Sequence, residues 1–351
     1  MLTDRRCAQV LLLGLTCLVL PGCAVGYLSQ AARGELQLLH ARQSIDRVLA
    51  APQTPPALRS MLERSRDIRA FASRELGLPD NGSYRSYADI HRPYVVWNVV
   101  AAPPLSLRPR TWCFPVAGCV AYRGYFSERG AQRFAARRRG RGDDVLVGGV
   151  PAYSTLGHFN DPIPSSMTRY GELDLAALVF HELAHQVAYL PGDSAYNEAF
   201  AMTVEEEGVA RYAAARGTPA ELASWQAQRA QREATSALFG ARRTQLERVY
   251  AGAASMPRKL EEKARILAAL GQDIRDLERR TGVASGYGSW VDAGLTNAHV
   301  VSVATYEAEM PRFTRLLAAV NGDLPAFYAR VRAEVAQRLP QPVPPLLPRR
   351  E

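Results

Sequence analysis

Positions 175–189 form the longest uninterrupted apolar stretch outside the chain's start. Leu175-Ala176-Ala177-Leu178-Val179-Phe180 lead into His181-Glu182-Leu183-Ala184-His185, and Gln186-Val187-Ala188-Tyr189 follow. Apart from the His-Glu-Leu-Ala-His step itself there is no charge, proline or glycine, which predicts a buried helix. Pro191-Gly192 stop it, and Asp193 or Ser194 can cap a second helix over 194–215 that returns antiparallel. Upstream, Leu36, Leu39, Ile45, Val48 and Leu49 fall near one face of a helix over 34–49. Pro52, Pro55 and Pro56 interrupt before a helix over 57–76. Segments 94–100, 120–126 and 144–150 are rich in β-branched and aromatic residues between prolines and glycines, and read as strands of a small sheet. From 218 to 280 the chain is helical and charged, with a break over 252–257. Its apolar residues are sparse, which predicts a helical hairpin standing out as an arm or lid. A flexible loop over 282–288, two more helices within 295–338 and an extended tail with five prolines over 340–350 complete the chain. The expected fold class is α+β: mainly α-helical, with a small mixed or antiparallel sheet just before the 175–189 helix. Its expected units are 1–22, 23–217, 218–280, 281–338 and 339–351.

A chain of 351 residues with 47% apolar composition can bury a substantial core, in one large unit or two closely packed ones. The start has a separate character. Arg5 and Arg6 precede an apolar run over 8–20 that is too short for a comfortable spanning helix, and Leu20-Pro21-Gly22-Cys23 closes it. Glycine directly before cysteine resembles the bacterial lipoprotein processing box, although Pro21 is unusual there. The resemblance implies removal of 1–22, lipidation of Cys23 and, with Ala24 rather than aspartate next, the outer membrane facing the periplasm. Cys7 and Cys17 would leave with the leader. Cys113 and Cys119, with Pro115 and Gly118 between them, are then expected to form a short-loop disulfide in an oxidising compartment. The net charge is +9, with a dense run at Arg133, Arg137, Arg138, Arg139 and Arg141. Such a run invites a nucleic-acid reading. On an exported chain it is expected instead to be a surface near anionic lipid or a solvated one, and no nucleic-acid partner is expected.

On a helix, the four-residue step from His181 to His185 puts both imidazoles on one face. They can share one Zn²⁺, with Glu182 beside the position left for water. The third donor is expected to be Glu198, thirteen residues after His185 in Asn197-Glu198-Ala199-Phe200-Ala201. This set resembles that of the glutamate-type zinc peptidases. Glu205 shares a face with Glu198 and could orient a histidine from behind. Glu206 is its alternative, because in the larger families that acid lies four residues after the ligand, where this chain has Met202. Asn197 is also expected to support the ligands. Gly148-Gly149-Val150-Pro151-Ala152-Tyr153 and the segment 154–159 read either as a sheet edge and rim that holds an extended peptide, or as a tight turn. His158, in a loop-like stretch, is expected at the rim or in packing rather than on a metal.

Taken together, 181–201, 113–126, Tyr153-Ser154-Thr155-Leu156-Gly157 and the leader make the chain resemble the predicted bacterial aminopeptidase family, exported lipoproteins with a glutamate-type zinc peptidase motif. The resemblance implies a zincin-like metallopeptidase with one Zn²⁺ per chain on His181, His185 and Glu198, a peptide substrate and a lipid anchor in the cell envelope. Zinc would lower the pKa of its water and polarise the scissile carbonyl, and Glu182 would carry the proton to the leaving amine. Tyr306 or His299, seven apart, would stabilise the oxyanion, with Tyr306 preferred. The Gly-x-Met-Glu-Asn amine-binding stretch of well-known zinc aminopeptidases is absent. An envelope endopeptidase therefore stands beside the aminopeptidase. A non-catalytic zinc-binding lipoprotein scaffold is the third reading, and Glu182 speaks against it because a structural metal needs no base.

Overall fold

The computed structural model describes residues 22–114, 118–152, 155, 159–303 and 309–339. In chain order the elements are α1 (Gly22–His40), β1 (Arg42–Ser44), α2 (Ile45–Ala50), α3 (Pro56–Arg74), β2 (Ser86–Ala88), β3 (Val96–Ala102), β4 (Trp112–Phe114), β5 (Gly118–Val120) and β6 (Tyr122–Tyr125). Next come α4 (Glu128–Arg139), β7 (Asp144–Val150), β8 (Ile163–Pro164), α5 (Glu172–Val187), α6 (Ser194–Arg216), α7 (Pro219–Ala251) and α8 (Met256–Thr281). The last are α9 (Gly288–Ala293), α10 (Asn297–Val303), α11 (Met310–Ala318) and α12 (Leu324–Arg338). The fold is mainly helical with small sheets. The three expected strand segments coincide with β3, β6 and β7.

Those three strands form an antiparallel sheet in the order β6-β3-β7. Alternation along β3 separates two environments. Trp97, Val99 and Ala101 pack with Ala131, Phe134 and Ala135 of α4, while Val100 and Ala102 turn to Phe239, Leu246, Ile266, Leu270 and Val300. Among the described residues β7 pairs only with β3, so its outer edge is open. Glycine is required at 149: a Cβ there would lie 2.2 Å from the Tyr94 ring. A second small sheet runs β1-β2-β8, and β4 and β5 pair as a hairpin across which a disulfide joins Cys113 to Cys119.

The main core gathers α3, α5, α6, α11 and α12 around Phe180, Phe200, Phe313 and Phe327. On α5, Leu173, Ala176, Ala177, Phe180, Leu183 and Ala184 recur at helical spacing and are all buried. Each fully buried Leu or Phe contributes roughly 1.5–3 kcal/mol. Glu172 and Asp174 occupy the first turn, where the helix dipole favours negative charge. The Asp193 carboxylate accepts the Tyr196 N–H to begin α6, and α6 then lies close against α5. That closeness depends on Gly208, where a Cβ would meet Phe180 at 2.7 Å and Leu76 at 2.8 Å.

The structure departs from the pattern-based expectations in three places. The expected helix over 34–49 is divided into α1, β1 and α2. Leu38 packs with Ala88, Val95 and Val96, whereas Ile45 and Val48 enter the main core, and one straight helix face cannot serve both. The region 295–338 holds three helices rather than two, with Asn321 and Gly322 at positive φ between α11 and α12. The α7–α8 hairpin buries an apolar seam against α10 and the sheet. A polar knot secures it there. Lys263 Nζ donates to Asp144 Oδ2 (2.5 Å) and to the Pro104 carbonyl (2.9 Å). The Asn297 N–H donates to the same carboxylate, and the Tyr250 hydroxyl donates to Asn297 Oδ1. The expected leader and tail, apart from Gly22 and Leu339, lie outside the described residues.

Candidate metal centre

Helix α5 leaves one partly exposed strip, made by Leu178, His181, Glu182 and Gln186. Helix α6 leaves another, made by Glu198, Met202, Glu205 and Glu206 at successive turns. The antiparallel return through Pro191-Gly192 sets these strips face to face. His181 Nε2 lies 3.2 Å from His185 Nε2 and 3.2 Å from Glu198 Oε2, and His185 Nε2 lies 3.8 Å from Glu198 Oε1. The three residues could hold a metal ion, their ligand atoms all lying within 4.8 Å of one another. A tetrahedral ion with ligand bonds of ~2.0–2.1 Å separates its donors by about 3.3 Å, which matches the two shorter distances.

Proton accounting supports the same fit. His181 Nδ1 lies 3.0 Å from Glu205 Oε2, an acceptor, so that nitrogen carries a proton. In the neutral ring Nε2 is then a bare lone pair facing a carboxylate oxygen and a second imidazole. Acceptors converging this closely need a cation or an extra proton at their centre. Burial opposes charge on His181, but hydrogen bonds to Glu198 and Glu205, with the nearby charges of Glu205 and Glu182, outweigh it and hold its pKa well above the ordinary histidine range. Burial pushes Glu198 up, and His181 more than reverses this to leave it below the usual carboxylate value. His185, buried and beside the charge on His181, drops to about 4. The set thus stabilises positive charge at its centre.

The three consecutive acids of α6 go to three partners. Glu205 faces His181 and also reaches Arg229 Nη1 at 3.4 Å, Glu206 pairs with Arg229 Nη2, and Glu207 pairs with Arg211 Nε at 2.7 Å. Of the two candidates for a carboxylate behind a histidine, it is Glu205 that meets His181 Nδ1. Burial disfavours charge on Arg229, yet Glu205 and Glu206 raise its pKa on balance. Arg229 carried no sequence signal, since it lies on another helix 24 residues beyond Glu205 and resembles every other arginine of α7. Asn197 makes its side-chain hydrogen bonds to the backbone of the α5–α6 turn. Its buried amide donates to the Leu190 carbonyl and accepts the Leu190 N–H, closing the α5–α6 turn. His185 Nδ1 is buried without a hydrogen-bond partner among the described residues.

Glu182 is partly buried on the same helix. The Nδ1 of His299 accepts the Thr296 N–H (3.0 Å), its ring contacts Trp290, and burial lowers its pKa to about 4. Tyr306 and His158 lie outside the described residues, as do Tyr153, Ser154, Leu156 and Gly157, and nothing is described of the Cys23 side chain.

A cleft of about 430 Å³ opens beside Glu198. One face of the sheet lines it, through Asn98 and Val100 of β3 and Leu146, Gly148, Gly149 and Val150 of β7, together with Arg229, Arg232, Glu233 and Ser236 of α7. Trp290, Val301 and Val303 make one end apolar. The volume falls within the range of small-ligand sites. This arrangement defines a metal-competent centre at the edge of a substrate-sized cleft. The chain belongs to the family described as "Putative aminopeptidase", whose model matches residues 26–341. No curated protein and no solved structure matches it.

Proposed function

We propose that this chain is a zinc-dependent peptidase that removes residues from the free amino-termini of short peptides in the bacterial envelope. The convergence of His181, His185 and Glu198 beside a cleft lined by one face of the β3–β7 sheet carries this reading. Imidazole and carboxylate donors suit zinc. A divalent ion held there would supply Lewis-acid chemistry, lowering the pKa of water and polarising the scissile carbonyl. The chain's own residues do the rest. Glu182 takes the proton of the attacking water on its carboxylate and gives it to the leaving amine. Glu205 accepts from His181 Nδ1 and so keeps Nε2 turned to the ligand set, and Arg229 holds Glu205 in place. The free edge of β7 takes the substrate backbone in extended form. Glu233, on α7 in the same cleft, is the carboxylate that pairs with the substrate α-amine.

The test compares the parent chain with Glu182→Gln and Glu198→Ala. It measures zinc per chain by mass spectrometry and hydrolysis of aminoacyl anilides beside amino-blocked peptides. The parent should hold one zinc and cleave only the free-amine substrates. Glu182→Gln should keep the zinc and lose activity by roughly 10²–10⁴-fold. Glu198→Ala should lose both. Cleavage of blocked peptides alone would replace this reading with the endopeptidase. Zinc without any hydrolysis would replace it with the scaffold.

A further inference from the structure

A second cavity, of about 630 Å³, lies where α1, β6 and α4 meet, and it shares no residue with the metal-side cleft. The alternation of β3 places the two on opposite sides: α4 covers the face of Trp97 and Val99, whereas the cleft is lined from Asn98 and Val100. Tyr27, Trp112, Tyr125 and Phe134 form its apolar surface. Its charge is all of one sign. Arg123, Arg133, Arg137, Arg138 and Arg141 line it, and among the described residues no acidic side chain does.

The arginines divide into two groups. Arg123 lies 4.1 Å from the centre of the Tyr27 ring and 4.8 Å from that of Phe134, while Arg138 is held by the buried Asp143. These two are fixed into the wall. Arg133, Arg137 and Arg141 are exposed and make no ion pair among the described residues, although Arg137 also lies 5.6 Å from the centre of the Phe134 ring. Arg133 and Arg137 stand four residues apart on α4, so like charges are held side by side at a cost to the helix. An anion bridging them would remove that repulsion, and bidentate guanidinium groups match phosphate geometry.

We propose that this cavity binds the phosphate headgroup of an anionic phospholipid. Two features favour a lipid over a free anion. The aromatic surface beside the arginines suits the glycerol and first methylenes of a lipid, and aromatic side chains are enriched at that depth of a bilayer. The cavity is also lined by Gly26, Tyr27 and Gln30 of α1, within two helical turns of Cys23. A chain anchored at Cys23 would present this mouth to the headgroup layer. The cavity's chemistry stands without that anchor, and it is independent of the peptidase reading.

Native mass spectrometry of the full chain in detergent, with phosphatidylglycerol, phosphatidylcholine or inorganic phosphate added, tests the proposal. One phosphatidylglycerol should be retained at least tenfold more tightly than phosphatidylcholine, with affinity falling as salt rises. Arg133→Glu/Arg137→Glu should abolish that preference. Arg133→Gln/Arg137→Gln should weaken it by at least threefold, and melting temperatures would verify that both variants fold. Equal retention of the two lipids, or undiminished phosphatidylglycerol binding in both variants, would overturn it. So would inorganic phosphate binding as tightly as the lipid, which would make the cavity a site for soluble anions.

Discussion

The two faces of the β6-β3-β7 sheet handle charge in opposite ways. Around the metal centre the charges are paired: His181 meets Glu198 and Glu205, and Glu205 and Glu206 meet Arg229. On the α4 side Arg138 and Arg110 share Asp143, but Arg133, Arg137 and Arg141 have no counter-charge among the described residues. A closed network fixes side chains in one geometry, which a small cation with demanding coordination requires. An open one leaves its charges to a ligand from outside.

The contrast can be broken most strongly at Glu205. Glu205→Ala removes the acceptor of His181 Nδ1 and one of the two partners of Arg229. Zinc affinity, measured by chelator competition, should fall by about 10–100-fold. An unchanged affinity would show that the closed network does not hold the ligands.

Glu35 on α1 presents a third situation, a buried carboxylate with no hydrogen-bond partner among the described residues. Burial, with Asp161 adding to it and Arg42 opposing, raises its pKa to about 7 from 4.5. Between those pH values the folded chain holds a proton that the unfolded chain has released. The stability this confers is complete below pH 4.5 and is lost as pH rises through 7. Glu35→Gln should therefore stabilise the chain at pH 8 by about 1–2 kcal/mol, a figure discounted for the partly exposed stem, and make no difference near pH 4.5. Denaturant midpoints at the two pH values measure it. A pH-independent gain would point to packing instead.

The smallest effect belongs to the open face. Arg133→Gln/Arg137→Gln breaks no ion pair, so stability in the absence of lipid should change by less than about 0.5 kcal/mol, within the scatter of surface substitutions. A loss of several kcal/mol in the melting profile would mean that these arginines belong to the fold.

Much of the cleft side was legible in the chain's pattern. The apolar run around His181 marks the buried helix, Pro191-Gly192-Asp193 marks the return, and seven-residue spacing puts Glu205 on the face of Glu198. The hairpin was harder. Its apolar residues are too sparse for burial all round, and that sparseness suggested an arm. The seam they do form is narrow and continuous, and the Lys263–Asp144–Asn297 knot closes it onto the sheet. The bond of Asn197 to Leu190 carried no signal in the chain's pattern, because consecutive helical residues point about 100° apart and its place beside Glu198 does not say which partner its amide finds.

The pairing of His181 with His185, and of Glu198 with Glu205, was determined by sequence alone, because residues four or seven apart on a helix share a face whatever surrounds them. Only the tertiary structure decided which strips meet, that Glu205 rather than Glu206 reaches His181, and that Arg229 closes the set from a third helix. Those outcomes depend on how closely α5 and α6 approach at Gly208 and how α7 crosses them, distances that no spacing along the chain encodes.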